Sequence, residues 1–390
     1  MNSNKAAIYL IAIGAFALGV ASYITAGLIP MIAKDFTVST SVAAQLVTAF
    51  TLGYGLDSPV FVALLPASRQ RLGLLLALAL FTVANAACAL AGDIGLLILF
   101  RTVEGIGAGV YVALGVSSAV SLADEGARGK SISFVMGGMS SGTVLGVPLS
   151  LLFAERLGWK AALWIITALG LITFIGLLCK LPPLPQAKAS TFRSKFSILH
   201  DRHVLRILLV SQLAAMASLG MYTFIALFMK SVAPGELPQD FSAIPFLWAW
   251  GIGGVLGSYY IGPLVDKMRG MLVSLGIMIT LSLALLALPL TAMLTPWACL
   301  IPLIIWGAVG WALQVPQNNE LLKARQEQGD GNLAVALNVS ALYLGSAIGA
   351  ALGGGALLLG LPLAFLPIVA AGIAAVGAFT QFMIVLSARK

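Results

Sequence analysis

Phe100-Arg101-Thr102-Val103-Glu104-Gly105 sets an arginine and a glutamate three residues apart inside an apolar run from Ile94 to Leu122. At that spacing both charges share one face of a helix. A charge inside a bilayer costs at least about 2.5–3.5 kcal/mol on insertion scales, so it faces protein or a water-filled cavity and marks a pathway for protons or ligands. Asp57 is a third such group, about nine residues above the inner end of its own apolar run, or ~14 Å at ~1.5 Å per residue. Arg101 facing two carboxylates leaves a net charge of minus one when all three are ionised. Burial favours the neutral carboxyl and a nearby guanidinium the ionised one, so one of the two acids would be poised to take up a proton. Two plainer roles stand beside this one. Arg101 and Glu104 could lock two helices together, and Asp57 could cap a helix or bind neighbouring backbone.

The remaining candidates suit ligand binding and movement better than catalysis. Tyr23, Tyr111, Gln212, Tyr222, Trp248, Trp311, Gln314, Asn338 and Tyr343 lie on apolar runs and offer rings and amides without charge. Amides at lipid depth need partners, and as a set these residues fit an uncharged amphiphilic ligand. Met136, Met139, Met216 and Met221 add soft surface that adapts to varied ligands. Gly138, Gly142 and Gly146 recur every four residues, which stacks them on one face for close helix contact. Pro148 follows and would bend that helix. No nucleophile elbow, paired helical histidines or metal-ligand spacing appears, so no enzyme, cofactor or metal is expected. Cys88, Cys179 and Cys299 are too scattered for a disulfide framework, and His200 and His203 read as solvated loop residues beside Asp201.

These residues need a membrane scaffold to hold them. The chain of 390 residues is 60% hydrophobic and only 9% charged, which excludes an ordinary soluble protein. Its +8 net charge gives no case for nucleic acid, because the basic residues sit at the ends of apolar runs, as orientation signals do. Twelve spans are expected, at 7–33, 42–66, 72–91, 94–122, 131–154, 161–179, 205–229, 241–265, 271–294, 297–322, 333–358 and 361–386. The first is long and reads as a retained helix, not a cleaved signal. With both termini inside, most basic residues, including Arg69, Arg128, Lys180, Arg193, Lys267 and Arg325, are cytoplasmic. Only Lys34, Arg156, Lys160 and Lys230 lie outside, which decides the orientation.

The chain also repeats itself. Leu56-Asp57-Ser58 aligns without gaps to Leu256-Gly257-Ser258, and Gly142-xxx-Gly146 matches Gly345-xxx-Gly349. An even number of spans per repeat makes the halves parallel, with a shared cavity expected near the midplane. The expected domains are a bundle over 1–180, a polar cytoplasmic linker over 181–204 and a second bundle over 205–390.

On these features the chain resembles the major facilitator superfamily, especially its twelve-span drug:proton antiporters with sugar- and arabinose-efflux-like members. Four stretches carry the resemblance. They are Gly262-Pro-Leu-Val-Asp266-Lys267-Met-Arg269-Gly270, Arg101-xx-Glu104-Gly105, Gly138-xxx-Gly142-xxx-Gly146-Val-Pro148, and Leu337-Asn338-Val-Ser340-Ala-Leu-Tyr343-Leu-Gly345. It implies an all-α membrane protein of two pseudo-symmetric six-helix bundles, working by alternating access as a monomer in a bacterial-type inner membrane. It further implies a cytoplasmic gate at Asp266, Lys267 and Arg269, and export of a small organic molecule in exchange for protons. Uptake, facilitated diffusion and a non-transporting sensor are the alternatives. The chain departs from the family in three places. Val62, Pro66 and Ala67 replace the usual Gly, Asp and Arg of the first-half loop. Ser22 stands where related efflux proteins often carry an acid, and Glu104 where the family usually has Gln. Proton coupling is therefore expected either to fall on Asp57, Arg101 and Glu104 or to be lost.

Overall fold

Lipid offers the backbone no hydrogen bonds, so an apolar run must satisfy its own peptide groups, and a helix does so within one segment. The computed structural model describes residues 3–38, 40–124, 126–146, 153–154, 156–184, 198, 200–231 and 244–387. Among them there is no strand, and ten helices are long and apolar enough to cross a membrane. The protein is a multi-pass, all-α membrane protein.

The main helices are α1 (Ser3–Asp35), α2 (Thr40–Leu52), α3 (Gln70–Leu90), α4 (Ile94–Leu122), α5 (Arg128–Ser141) and α6 (Trp159–Lys180). Then follow α7 (Arg202–Tyr222), α8 (Ile244–Tyr260), α9 (Gly270–Ala292), α10 (Leu300–Ala312), α11 (Gly331–Leu358) and α12 (Leu366–Ser387). Each falls on one of the twelve expected runs. Two of them stand outside the ten long spans. α8 has 17 residues, and α5 has 14 before it enters a π turn at Gly142–Gly146.

Several runs expected as single helices are broken, and prolines stand at two of the breaks. A proline ring clashes with the carbonyl four residues back and lacks an N–H to donate. Pro316 meets Ala312, the last residue of α10, and the chain resumes as a helix over Gln314–Ala324. Pro263 meets Tyr259, one residue before the end of α8, and a short helix Gly262–Lys267 follows. The second span runs from α2 through a π turn, Gly53–Asp57, into a short helix, Ser58–Leu64. A π turn widens the helix locally.

Contacts divide the chain into two compact units, Met1–Ile198 with Leu321–Ser340, and Leu199–Glu320 with Ala341–Lys390. In lipid, helices gain little from burying apolar surface against each other, so close van der Waals packing through small residues takes over. In the first unit, a Cβ added to Gly138 or Gly142 would overlap the carbonyl oxygens of Ala12 and Phe16 on α1. In the second, Gly345 and Gly349 of α11 press in the same way on the carbonyls of Gln212 and Met216 on α7.

The repeat is visible in a second set of contacts. Gly53 and Gly105 lock α2 to α4, against the carbonyls of Thr102 and Phe50. Gly253 and Gly307 lock α8 to α10, against the carbonyls of Ile304 and Trp250. Gly53 and Gly253 are 200 residues apart, as are Phe50 and Trp250. The gap-free alignment of the sequence therefore corresponds to the same helix–helix register within each unit.

Candidate functional site

α4 brings Arg101 and Glu104 onto one face, and that face points into the first unit. The two side chains are 2% and 0% exposed, with Arg101 Nη1 donating to Glu104 Oε2 at 2.8 Å. Arg101 Nη2 donates to the Ala21 carbonyl on α1 at 3.1 Å. Its guanidinium also lies 4.4 Å above the Phe50 ring of α2, where a desolvated cation–π contact contributes about 2 kcal/mol. From α3 the Cys88 thiol donates to Glu104 Oε2 at 3.7 Å. The pair thus ties α4 to α1, α2 and α3. Two atoms are left over: Arg101 Nε and Glu104 Oε1 are buried without a hydrogen-bond partner among the described residues. One carboxylate oxygen is committed to Arg101, and the other is open to a proton.

Asp57 closes the π turn of the second span. Its side chain lies outside the described residues, so the described carboxylate on Arg101 is that of Glu104 alone. Ser22 spends its hydroxyl on the Leu18 carbonyl of its own helix at 2.8 Å. Its neighbour Ala21 receives Arg101 through a backbone carbonyl.

The aromatic and amide candidates fall into two groups. Tyr23, Tyr111 and Asn338 belong to the first unit, and Gln212, Tyr222, Trp248, Trp311, Gln314 and Tyr343 to the second. Tyr111 is fully buried and donates its hydroxyl to the Ile11 carbonyl at 3.1 Å. Its ring fills the space left by Gly14, so it clamps α4 to α1. Asn338 is buried near Ser340, whose hydroxyl donates to the Gly55 carbonyl in the π turn of the second span. Tyr23 is half-buried on α1. In the second unit Tyr222 stacks on Trp250 with ring centroids 4.3 Å apart. Trp311 is buried, while Gln212, Trp248, Gln314 and Tyr343 are half-buried. Of the methionines, Met136 and Met139 sit in the core, and Tyr54 donates to the Met139 sulfur at 3.9 Å.

At the turn between α8 and α9, Asp266 is half-buried and Lys267 and Arg269 are exposed. Gly270 opens α9 against the Glu320 carboxylate, 2.6 Å from where its Cβ would stand. The turn therefore packs on the Gln314–Ala324 helix. Gly138, Gly142 and Gly146 face α1, Gly146 against the Val20 side chain. Pro148 lies outside the described residues.

Some residues escaped sequence reading. Cys88, Phe50 and Ala21 surround the charge pair from three other helices, and nothing in linear spacing links them to it. Trp250 and Trp306 share the residue type of Trp248 and Trp311, and only their packing sets them apart as part of the site. Arg325 and Asp330 form a buried bidentate pair at 2.8 and 2.7 Å across the turn before α11, which the +5 separation alone could have suggested. Among the described residues no group of three or more His, Cys, Asp or Glu side chains is placed to hold a metal.

A polytopic helical repeat with a buried ionisable pair defines a membrane transporter. The chain belongs to the Major Facilitator Superfamily, whose family profile matches residues 11–325. It is 29% identical over 381 residues to the inner membrane transport protein YdhP of Escherichia coli strain K12, covering 97% of this chain and 95% of that protein. It is 27% identical over 349 residues to a chloramphenicol resistance protein of Streptomyces lividans, covering 88% and 86%. In fold it is similar to FucP, a superfamily transporter solved in the outward conformation, with a TM-score of 0.77 at 18% identity over 98% of this chain and 99% of FucP. The proton:xylose symporter XylE aligns with a TM-score of 0.72 at 15% identity, over 97% of this chain and 95% of XylE.

Proposed function

We propose that the protein exports a small, uncharged organic molecule across a bacterial-type inner membrane in exchange for protons, by alternating access. The observation that carries the proton half is the buried carboxyl of Glu104, with one oxygen bonded to Arg101 and the other unpartnered. Taking up a proton there cancels the charge opposite Arg101 and frees the arginine to re-pair. Asp57 is the second coupling acid, one π turn away from Gly53, which packs on α4. The direction is supported by the relative named for chloramphenicol resistance. The ligand half is supported by the rings and amides of the second unit, which carry no charge of their own. Intracellular and extracellular metabolites compared with and without the protein test this reading. A compound that accumulates inside cells lacking the protein fits export, whereas one depleted inside them is the mark of uptake.

Orientation is a separate expectation. With both termini cytoplasmic, a Cys placed at Gly235 should react with an impermeant thiol reagent added outside, and one at Ser190 should not. The reverse pattern would invert the topology.

Asp266, Lys267 and Arg269 are proposed to stabilise one gating state, together with Glu320. They occupy one turn and the helix packed against it. Asp266→Asn should slow turnover about tenfold while substrate affinity stays within about threefold, since a state-stabilising contact changes rates and not ground-state binding. Loss of binding in a folded variant would place Asp266 in the ligand site instead.

A further inference from the structure

The second unit gathers three aromatic side chains around Trp250 of α8. Tyr222 from α7 lies 4.3 Å from it, ring to ring, tilted by 36°. Trp306 and Trp311 from α10 each lie 6.1 Å away, at 69° and 61°. Trp306 donates its indole N–H to Ser218 at 2.7 Å. Trp250 and Trp311 make no such bond. Both are buried, at 2% and 5% exposure, and neither indole nitrogen has an acceptor among the described residues. An indole nitrogen donates and cannot accept, and buried donors left without an acceptor are rare in folded proteins. Gly254 keeps the N–H edge of Trp311 clear of a side chain, since a Cβ there would stand 3.0 Å from Nε1. The cluster therefore holds two unpartnered donors among aromatic rings, and no charge.

Its position in the repeat points the same way. Gly307 packs on the carbonyl of Trp250 as Gly105 packs on that of Phe50. Phe50 carries the Arg101 guanidinium on its ring. Trp250, in the same register 200 residues on, carries only aromatic neighbours among its recorded ring contacts. One framework hosts a charge site in the first unit and an aromatic site in the second.

We propose that Tyr222, Trp250, Trp306 and Trp311 form a ligand subsite for an uncharged planar aromatic ring bearing hydrogen-bond acceptors, such as nitro or carbonyl groups. The indole N–H groups of Trp250 and Trp311 are its donors. The subsite names a substrate class for the exporter proposed above and rests on that reading. Ring faces and edges favour an aromatic guest over a saturated one of equal size. An indole N–H favours a guest with an acceptor and opposes a cation.

The test uses the full chain in lipid nanodiscs at a single pH, with empty nanodiscs as the reference for partitioning. Calorimetric titration compares 4-nitrobenzyl alcohol, benzyl alcohol and cyclohexylmethanol. The expected order of affinity is the nitro compound first, benzyl alcohol second and the saturated ring last. Trp250→Phe and Trp311→Phe keep a ring and remove the donor. Each should weaken the nitro compound about five- to tenfold, the worth of one buried hydrogen bond, and change benzyl alcohol by less than about twofold. Helical dichroism and elution volume check that both variants are folded. Equal affinity of wild type and both variants for the nitro compound, no preference for aromatic over saturated rings, or no binding of any probe by the wild type would each overturn the subsite. Proton-driven transport is measured separately, on the same wild-type and variant proteins reconstituted in sealed proteoliposomes. Unchanged probe binding in the variants with intact pH-driven transport removes the subsite and leaves the exporter reading. The expected binding pattern without any pH dependence keeps the subsite and removes proton exchange.

Discussion

Glu104→Gln should abolish transport driven by a pH difference while leaving substrate exchange at equal pH. Glutamine keeps the shape of the side chain and cannot take up a proton. The substitution also leaves Arg101 as a buried cation without a counter-charge, with a neutral amide oxygen, the Ala21 carbonyl and the Phe50 ring as its partners. Breaking a buried pair on one side costs about 3–5 kcal/mol, whereas replacing both partners by apolar groups is often neutral. The single variant is therefore expected to melt well below the wild type, and Arg101→Met combined with Glu104→Leu to recover most of that stability. Coupling should stay lost in the double variant, because no proton-binding group has returned. That contrast separates the two roles of the pair. If the stabilised double variant still concentrates substrate by a pH difference alone, Arg101 and Glu104 only hold helices together. Asp57→Asn made alone and with Glu104→Gln then shows whether the second acid shares the proton. The combined variant should have no pH-driven transport left.

Gly142→Leu should abolish transport in a protein that still inserts in the membrane. A Cβ at Gly142 already overlaps the Phe16 carbonyl, and backbone cannot swing aside as a side chain would. Overpacking a tight interface costs about 1–3 kcal/mol even where side chains can yield, and each ~1.4 kcal/mol is a tenfold change in a rate when it falls on the barrier. Gly142→Ala should be intermediate, and the same order should hold at Gly349 against Met216 in the second unit. Normal transport by Gly142→Leu would mean that α1 and α5 separate freely at this point, which the close approach of Gly138 and Gly142 argues against.

The fold was largely legible because lipid leaves the chain few choices. Apolar length located all twelve helices, and the repeat at Gly53 and Gly253 located their register. The breaks were harder to read. Pro316 and Pro263 stand in plain sight, yet whether a proline ends a helix or kinks it depends on its neighbours. The charge site was half legible. Arg101 and Glu104 are three residues apart and so had to meet, but Cys88, Phe50 and Ala21 reach them from other helices through packing that no spacing encodes. Tyr111 illustrates the opposite problem. Its type suggested a ligand contact, and its hydroxyl is spent on Ile11. Trp306 has a serine within reach and Trp250 and Trp311 have no acceptor among the described residues, and that is a fact of three dimensions.

Proton exchange itself is tested most directly in sealed proteoliposomes carrying the wild-type protein and a trapped pH-sensitive dye. The substrate found by metabolite comparison is loaded inside at equal pH, and the outside is then made acidic. Outward movement of substrate should accelerate and be matched by acidification of the lumen, and both effects of the pH difference should vanish in the Arg101→Met, Glu104→Leu double variant. Substrate efflux at the same rate with and without the pH difference, and no movement of protons, would contradict exchange and leave facilitated diffusion.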